Sequence, residues 1–141
     1  MDAIEKKVRA SFAKQGLMST LDAEMTSVGT GTVEIRCSFD AKWTQQNGFV
    51  HAGVITSILD SACGYAALSM APAESEVLSV EFKVNLLAPA VGEAFVARAV
   101  VKRAGKTLTI CSADAYALNG GREKLIATML ATMMNVAEKA S

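Results

Sequence analysis

Apolar side chains recur every four residues at Ile4, Val8 and Phe12, with Lys6 and Lys7 among them and Lys14 just after. This spacing predicts an amphipathic N-terminal helix over residues 2–15. Gly16 predicts its end, so that region 1–16 forms one helical unit. The period then changes. Val33, Ile35, Cys37 and Phe39 alternate with polar residues over 32–39, which predicts a half-buried strand. The Gly29-Thr30-Gly31 turn before it predicts that residues 22–28 pair with that strand. Around Gln45, Gln46, Asn47 and Gly48 the periodicity disappears, and residues 40–50 read as a loop.

Residues 53–70 carry a broad apolar face (Val54, Ile55, Ile58, Leu59, Ala62, Tyr65, Ala66) and a narrow stripe of Thr56, Ser57, Asp60, Ser61 and Gly64. Asp60 is the only charge in this stretch, which predicts a helix buried on most sides. Pro72 stops it. Leu78, Val80, Phe82, Val84 and Leu86 then alternate with polar residues. Further extended runs follow at 93–103, 106–118 and 123–136, separated by Pro89 to Gly92, by Ala104-Gly105 and by Asn119-Gly120-Gly121. Short turns imply antiparallel neighbours, so residues 77–136 are expected to form a four-stranded antiparallel meander. One buried helix on an antiparallel sheet is an α+β layer architecture.

The chain has 141 residues, which suits a single domain over 1–141. A chain of this size buries roughly 68–70% of its unfolded surface, enough for a proper core. Fourteen Lys and Arg balance fourteen Asp and Glu. That neutrality argues against a nucleic-acid partner, which needs counterion-releasing positive charge. The uncharged runs 43–59 and 125–137 fall short of the roughly 20 apolar residues of a membrane span, and Asp2 and Glu5 are not the start of a secretory signal. Cys37, Cys63 and Cys111 are odd in number and far apart, and His51 is the only histidine. These residues make a poor metal-ligand set, so no metal is expected, and the cysteines read as small core side chains of a reduced, cytoplasmic protein.

The candidate chemistry lies between Gln45 and Tyr65. The first N–H groups of a helix lack internal partners and sit at the positive end of its dipole. Ala52 and Gly53 are small enough to let a substrate oxygen approach them, as an oxyanion site requires. Asp60 follows His51 by nine residues, about 13 Å along the helix axis. It cannot easily serve the N-terminus of its own helix. A second subunit packed antiparallel could bring its Asp60 there, which points to a site shared across a dimer.

The segment resembles the hotdog-fold acyl-CoA thioesterases of the phenylacetic-acid-degradation type. Their pattern is Asn or Gln, Gly, His-Gly-Gly and an acidic residue nine positions after the His; here these places hold Gln45, Gly48, His51, Gly53 and Asp60. The strand from Leu78 to Ala90 and the hairpin Arg103-Ala-Gly-Lys-Thr-Leu108 also resemble that family, over about residues 25 to 136. The resemblance implies a hotdog fold, with a sheet wrapped around helix 53–70, and hydrolysis of an aryl or medium-chain acyl-CoA to free acid and coenzyme A. It implies Asp60 as general base or nucleophile and the Ala52 N–H, helped by that of Gly53, as the carbonyl-polarising donor. It further implies that Gln45 holds substrate or lytic water, that His51 shapes the helix entrance, that Gly48 lies at the substrate and that Ser79 assists near Asp60. Coenzyme A enters as part of the substrate, with no separate cofactor. The assembly implied is a homodimer, and a dimer of dimers.

Ala52 departs from the family's first His-Gly-Gly glycine. It keeps the N–H but adds a methyl that narrows the approach. This departure is the one hint of a non-catalytic acyl-CoA binding or sensing protein. A hotdog hydratase or dehydratase is the other alternative, although those enzymes use a different His-centred arrangement. Gly105-Lys106-Thr107 is not a P-loop, because Val100 stands where its first Gly is needed. Arg103 and Lys106 are candidates for contacting coenzyme A phosphates at the site mouth.

Overall fold

The computed structural model describes residues 2–137; Met1 and residues 138–141, at the ends of the expected domain, lie outside the described residues. The chain opens with α1 (Ala3–Ala13), whose first turn is capped by Asp2 accepting the Glu5 N–H at 2.7 Å. This satisfies one of the orphan donors of a helix start. Gly16 does not end the helical region as expected. Lys14 closes α1, Gln15 is extended, and Gly16 begins a second short helix, α2 (Gly16–Thr20). The second helix forms because Met18 and Leu21 find places in the core, at 1% and 4% exposure.

Two strands follow, β1 (Glu24–Gly29) and β2 (Thr32–Ser38), paired antiparallel as the turn predicted. After the loop comes α3 (Ala52–Leu68), then β3 (Ser75–Leu86), β4 (Ala94–Ala104), β5 (Leu108–Asn119) and β6 (Arg122–Ala137). All pairings are antiparallel, in the order β1-β2-β4-β5-β6-β3. The expected four-stranded meander is therefore corrected to three strands, β4-β5-β6, with β3 returning to the far edge beside β6. The short link that suggested adjacency instead runs across the end of the sheet. Leu87 and Ala88 donate to the Ile126 carbonyl, Val50 to that of Ala90, and Glu93 to that of Leu118. Seven extended residues reach more than 20 Å, and three strand spacings need only about 14 Å.

The sheet curls around α3, and its inner face explains how. Ala97, Ala113, Ala115 and Ala131 are all nearly inaccessible and belong to the same core as Ile55, Ile58, Leu59 and Ala62 of the helix. Small side chains on the strands let the sheet approach the helix closely, while Phe95, Met129 and Met133 supply larger side chains to the same core. Cys37, Cys63 and Cys111 are buried free thiols in this core. Burial pushes the Cys37 and Cys111 thiols up to about 11 and Cys63 higher still, so none is a nucleophile near neutral pH.

One local feature decides what faces the helix. The uninterrupted alternation Leu78, Val80, Phe82, Val84, Leu86 predicts one apolar face. Instead, β3 carries a bulge between Ser79 and Glu81, which shifts its register against β6. An extra residue in one strand exchanges the two faces beyond it. Phe82 and Val84 stand opposite the buried Ala131 and Met129, whereas Leu78 stands opposite the outward Met134 and is 59% exposed. Ser79, opposite buried Met133, is thereby turned toward α3. Among the described residues, β3 has β6 on one side and no strand on the other.

Candidate active site

The α3 N-terminus is built by His51. Its extended backbone breaks the loop, its N–H donates to the Trp43 carbonyl at 2.7 Å, and its Nδ1 accepts the Gly53 N–H at 2.7 Å. The Nδ1 acceptor role assigns the proton of the neutral ring to Nε2. A side chain at Gly53 would meet that ring at 3.0 Å, so glycine lets the imidazole fold over the helix end. The Gly53 N–H, expected to assist at the carbonyl, is accepted here by His51. The Ala52 N–H has no protein partner among the described residues.

Gln45 stands beside it. Both Ala52 and Gln45 line a cavity of about 480 Å³ whose other walls include His51, Ile55, Leu86 and Pro89. The Gln45 Oε1 accepts the Asn47 and Phe49 N–H groups, at 2.5 and 3.3 Å, and so braces its own loop. With its oxygen spent on backbone donors, the amide offers its N–H₂ group. Gln46 and Asn47 do not line this cavity, and neither does Gly48. Gly48 has φ +83° and donates to the Gln45 carbonyl. It shapes the turn, because left-handed backbone favours glycine.

Asp60 lies elsewhere on α3. Its carboxylate accepts the Ser79 hydroxyl at 2.7 Å. The two residues line a second cavity of about 420 Å³, between α3, the start of β3 and the α1–α2 junction. The cavities share no residue. Eight residues separate Ala52 from Asp60, about 12 Å of helix. The fold thus gathers Gln45, His51 and Ala52 at one place and Asp60 with Ser79 at another. Arg103 and Lys106 line neither cavity. Arg103 lies near the end of β4 and Lys106 in the β4–β5 turn, which Asn135 braces through the Gly105 and Lys106 carbonyls.

A profile of the thioesterase superfamily matches residues 47–124, from the tip of the Gln45 loop to the start of β6. The chain belongs to the thioesterase superfamily. A thioesterase family protein from Silicibacter pomeroyi is similar at 50% sequence identity and a TM-score of 0.94, covering 96% of this chain and 99% of that one. PaaI of Escherichia coli, from the phenylacetic acid degradation operon, is 16% identical with a TM-score of 0.86, over 98% of this chain and 96% of its own. At that identity the likeness speaks for the fold, which is the hotdog fold. The Saccharolobus solfataricus protein SSO2140, named as a candidate esterase, is 29% identical over 106 residues, 74% of this chain and 75% of its own. Membership in the thioesterase superfamily supports hydrolysis of a thioester. Among the described residues no helix is long and apolar enough to cross a membrane.

Sequence reasoning missed part of this thioesterase's second cavity. Gln15 bonds both Tyr65 and Ser61 there. Ser61 and Gly64 were legible as members of the Asp60 stripe. Gln15 carries no sequence signal, because it sits at a helix junction 45 residues before Asp60.

Proposed function

We propose that the protein hydrolyses a compact acyl-CoA, aryl or medium-chain, to free acid and coenzyme A, in a site completed by two copies of the chain. The observation that carries this reading is the division of one helix into two half-sites: a free oxyanion donor with Gln45 at its start, and a carboxylate with Ser79 about 12 Å further on. Antiparallel pairing of the unpartnered β3 edges would continue the sheet across the dimer and lay one chain's Asp60 against the other's Ala52. The exposed apolar side chains along β3, among them Val80 and Leu86, favour such a cover. Two dimers could then associate in turn.

In the assembled site the Ala52 N–H holds the thioester carbonyl oxygen and stabilises the charge that develops on it. The Gln45 N–H₂ holds substrate or water. Asp60 of the other chain either takes a proton from the attacking water or attacks the carbonyl carbon itself. Both routes pass through a tetrahedral centre and break the C–S bond, and the departing thiolate takes up a proton from water to leave as coenzyme A; in the second route the mixed anhydride formed on Asp60 is then hydrolysed by water, which releases the free acid and restores the carboxylate. Ser79 holds the carboxylate in place throughout. His51 acts through backbone geometry, since its Nδ1 is occupied by the Gly53 N–H.

Thiol release from acyl-CoA substrates tests the activity, and mixed chains test the sharing. Asp60→Asn and Gln45→Ala chains are each expected to be inactive alone. Mixed after verified subunit exchange, they are expected to regain activity, because a heterodimer holds one intact site. No recovery would place both residues in the same chain's site or remove one of them from the chemistry.

A further inference from the structure

A site shared by two chains constrains where their symmetry axis runs. A two-fold axis that lays Asp60 of each chain against Ala52 of the other passes midway between them. Ala52, Thr56 and Asp60 follow one another at four-residue spacing on α3, so they share a face and Thr56 is the midpoint. Asp60 also marks its own level on β3, through its bond to Ser79. Thr56 lies about 6 Å from Asp60, toward the start of the helix. Along β3 in the same direction, two ladder steps from Ser79 reach Phe82, about 7 Å away, and a third reaches Lys83. The axis therefore crosses the edge strand at Phe82 or Lys83.

Parity and charge choose between them. Residues directly opposite in an antiparallel ladder lie on the same face, so across a two-fold axis one residue opposes its own copy. With Lys83 on the axis, two ammonium groups stand face to face, which destabilises the pairing. With Phe82 on the axis, Lys83 of each chain stands opposite the partner's Glu81. Glu81 lies on the outer face, where it accepts the Thr132 hydroxyl, and Lys83, opposite the exposed Leu130, lies there too. Neither has an ion-pair partner among the described residues. Phe82 is on the inner face, opposite buried Ala131, and yet is 41% exposed, because no strand lies beyond it among the described residues. A second Phe82 would cover it.

Building on the shared-site reading above, we propose that Phe82 lies on the two-fold axis between two copies of this chain, and that Glu81 and Lys83 beside it set the register in which the copies pair. They are positioning residues for the reaction. A slip to the pairing with Lys83 on the axis moves one chain by two residues, about 7 Å, and carries Asp60 away from the Ala52 N–H. The apolar edge does not resist that slip by itself, since Val80, Leu86 and Leu87 are exposed and apolar in any register. Two symmetry-related Glu81–Lys83 pairs do, because only one register brings opposite charges together.

Charge exchange tests the register without relying on turnover. Glu81→Lys and, separately, Lys83→Glu place like charges opposite each other on both sides of the axis. Each is expected to raise the dimer Kd in sedimentation by at least about tenfold, with the deficit shrinking in high salt. The double variant Glu81→Lys/Lys83→Glu faces opposite charges again and is expected to return close to the wild-type Kd, a recovery that loss of a merely structural contact would not give. Oxidised Phe82→Cys is expected to form a covalent dimer, since the chain's own cysteines are buried, while Glu81→Cys and Lys83→Cys stay monomeric on non-reducing gels. Single variants that pair as tightly as the wild type, a double variant that does not recover, or cross-linking at Lys83→Cys in place of Phe82→Cys would each overturn the register. If Asp60→Asn and Gln45→Ala chains still complement one another, the shared site stands and only the register falls. A recovered double variant and a Phe82→Cys cross-link without complementation would keep the register and sink the shared site.

Discussion

Ser79 donates its hydroxyl to the Asp60 carboxylate at 2.7 Å, joining the edge strand to the central helix. The bond exists because the β3 bulge turns Ser79 inward at the point where simple alternation would have placed Leu78 or Val80. Hydrogen bonds to charged groups contribute about 1.5–3 kcal/mol. Ser79→Ala is therefore expected to lower kcat by about tenfold or more with KM little changed, by freeing the carboxylate to leave its reactive position. Ser79→Thr keeps the hydroxyl and is expected to restore most of the rate. Steady-state kinetics of the two variants check this; equal kcat in wild type and Ser79→Ala would remove Ser79 from the mechanism.

Asp60→Asn keeps shape and removes charge. The protein should fold and assemble as before, and acyl-CoA hydrolysis should fall by at least about 10²-fold, mainly in kcat. A larger fall is expected if the carboxylate is the nucleophile. An ordinary solvated helix-face Asp would instead leave the rate intact and alter stability by about 0.5 kcal/mol at most. Thiol-release kinetics beside thermal unfolding separate the two outcomes.

Ala52 occupies the first helical position after the cap, where proline is tolerated because its fixed φ suits the helix and its missing N–H is an orphan anyway. The preceding His51 is already extended, as a residue before proline prefers. Ala52→Pro therefore deletes one donor with little cost to the fold. The expected loss in kcat is about 10²–10³-fold. Ala52→Gly keeps the donor, removes the methyl, and should keep or raise activity. A folded Ala52→Pro protein with wild-type turnover would show that this N–H is unused.

Arg98, on β4, ties β2, β5 and β6 to its own strand on the outer face. Its Nε donates to Glu34 at 2.7 Å, its two terminal nitrogens to Glu123 at 2.6 and 2.8 Å, and its guanidinium lies over the Tyr116 ring. Partial burial alone would raise the Glu34 carboxyl, but the Arg98 and Thr26 hydrogen bonds outweigh it and hold it below its ordinary value of 4.5. The Glu123 carboxyl is lowered by its Arg98 hydrogen bonds. Carboxylates depressed in the folded state stabilise it above their unfolded value, and that stability is lost as pH falls through 4.5 toward the folded values. The Tm of the wild type should thus decline below about pH 5 more steeply than that of Arg98→Met. Parallel curves for the two proteins would deny the network a role in acid stability.

Local pattern carried much of this protein into view. The alternation at Val33–Phe39, the single charge in helix 53–70 and the turns at Gly31 and Asn119–Gly121 all report burial on one face or a tight reversal, which neighbouring residues encode directly. The distance from Ala52 to Asp60 was legible for the same reason, since helix rise is constant. Tertiary structure decided what no local period encodes. The link between β3 and β4 spans the sheet end because those strands pack apart, so the expected meander lost a strand. The bulge in β3 answers to its pairing with β6, and it alone turns Ser79 to Asp60. His51 captures the Gly53 N–H only in the folded loop, which leaves Ala52 as the free donor. Gln15 reaches Ser61 and Tyr65 because α1 packs beside α3 and Gln15 follows at its end. Sequence alone thus determined the elements and the spacing along each. Contacts between residues distant in the chain decided which side chains meet, because they form only when separate elements are packed together.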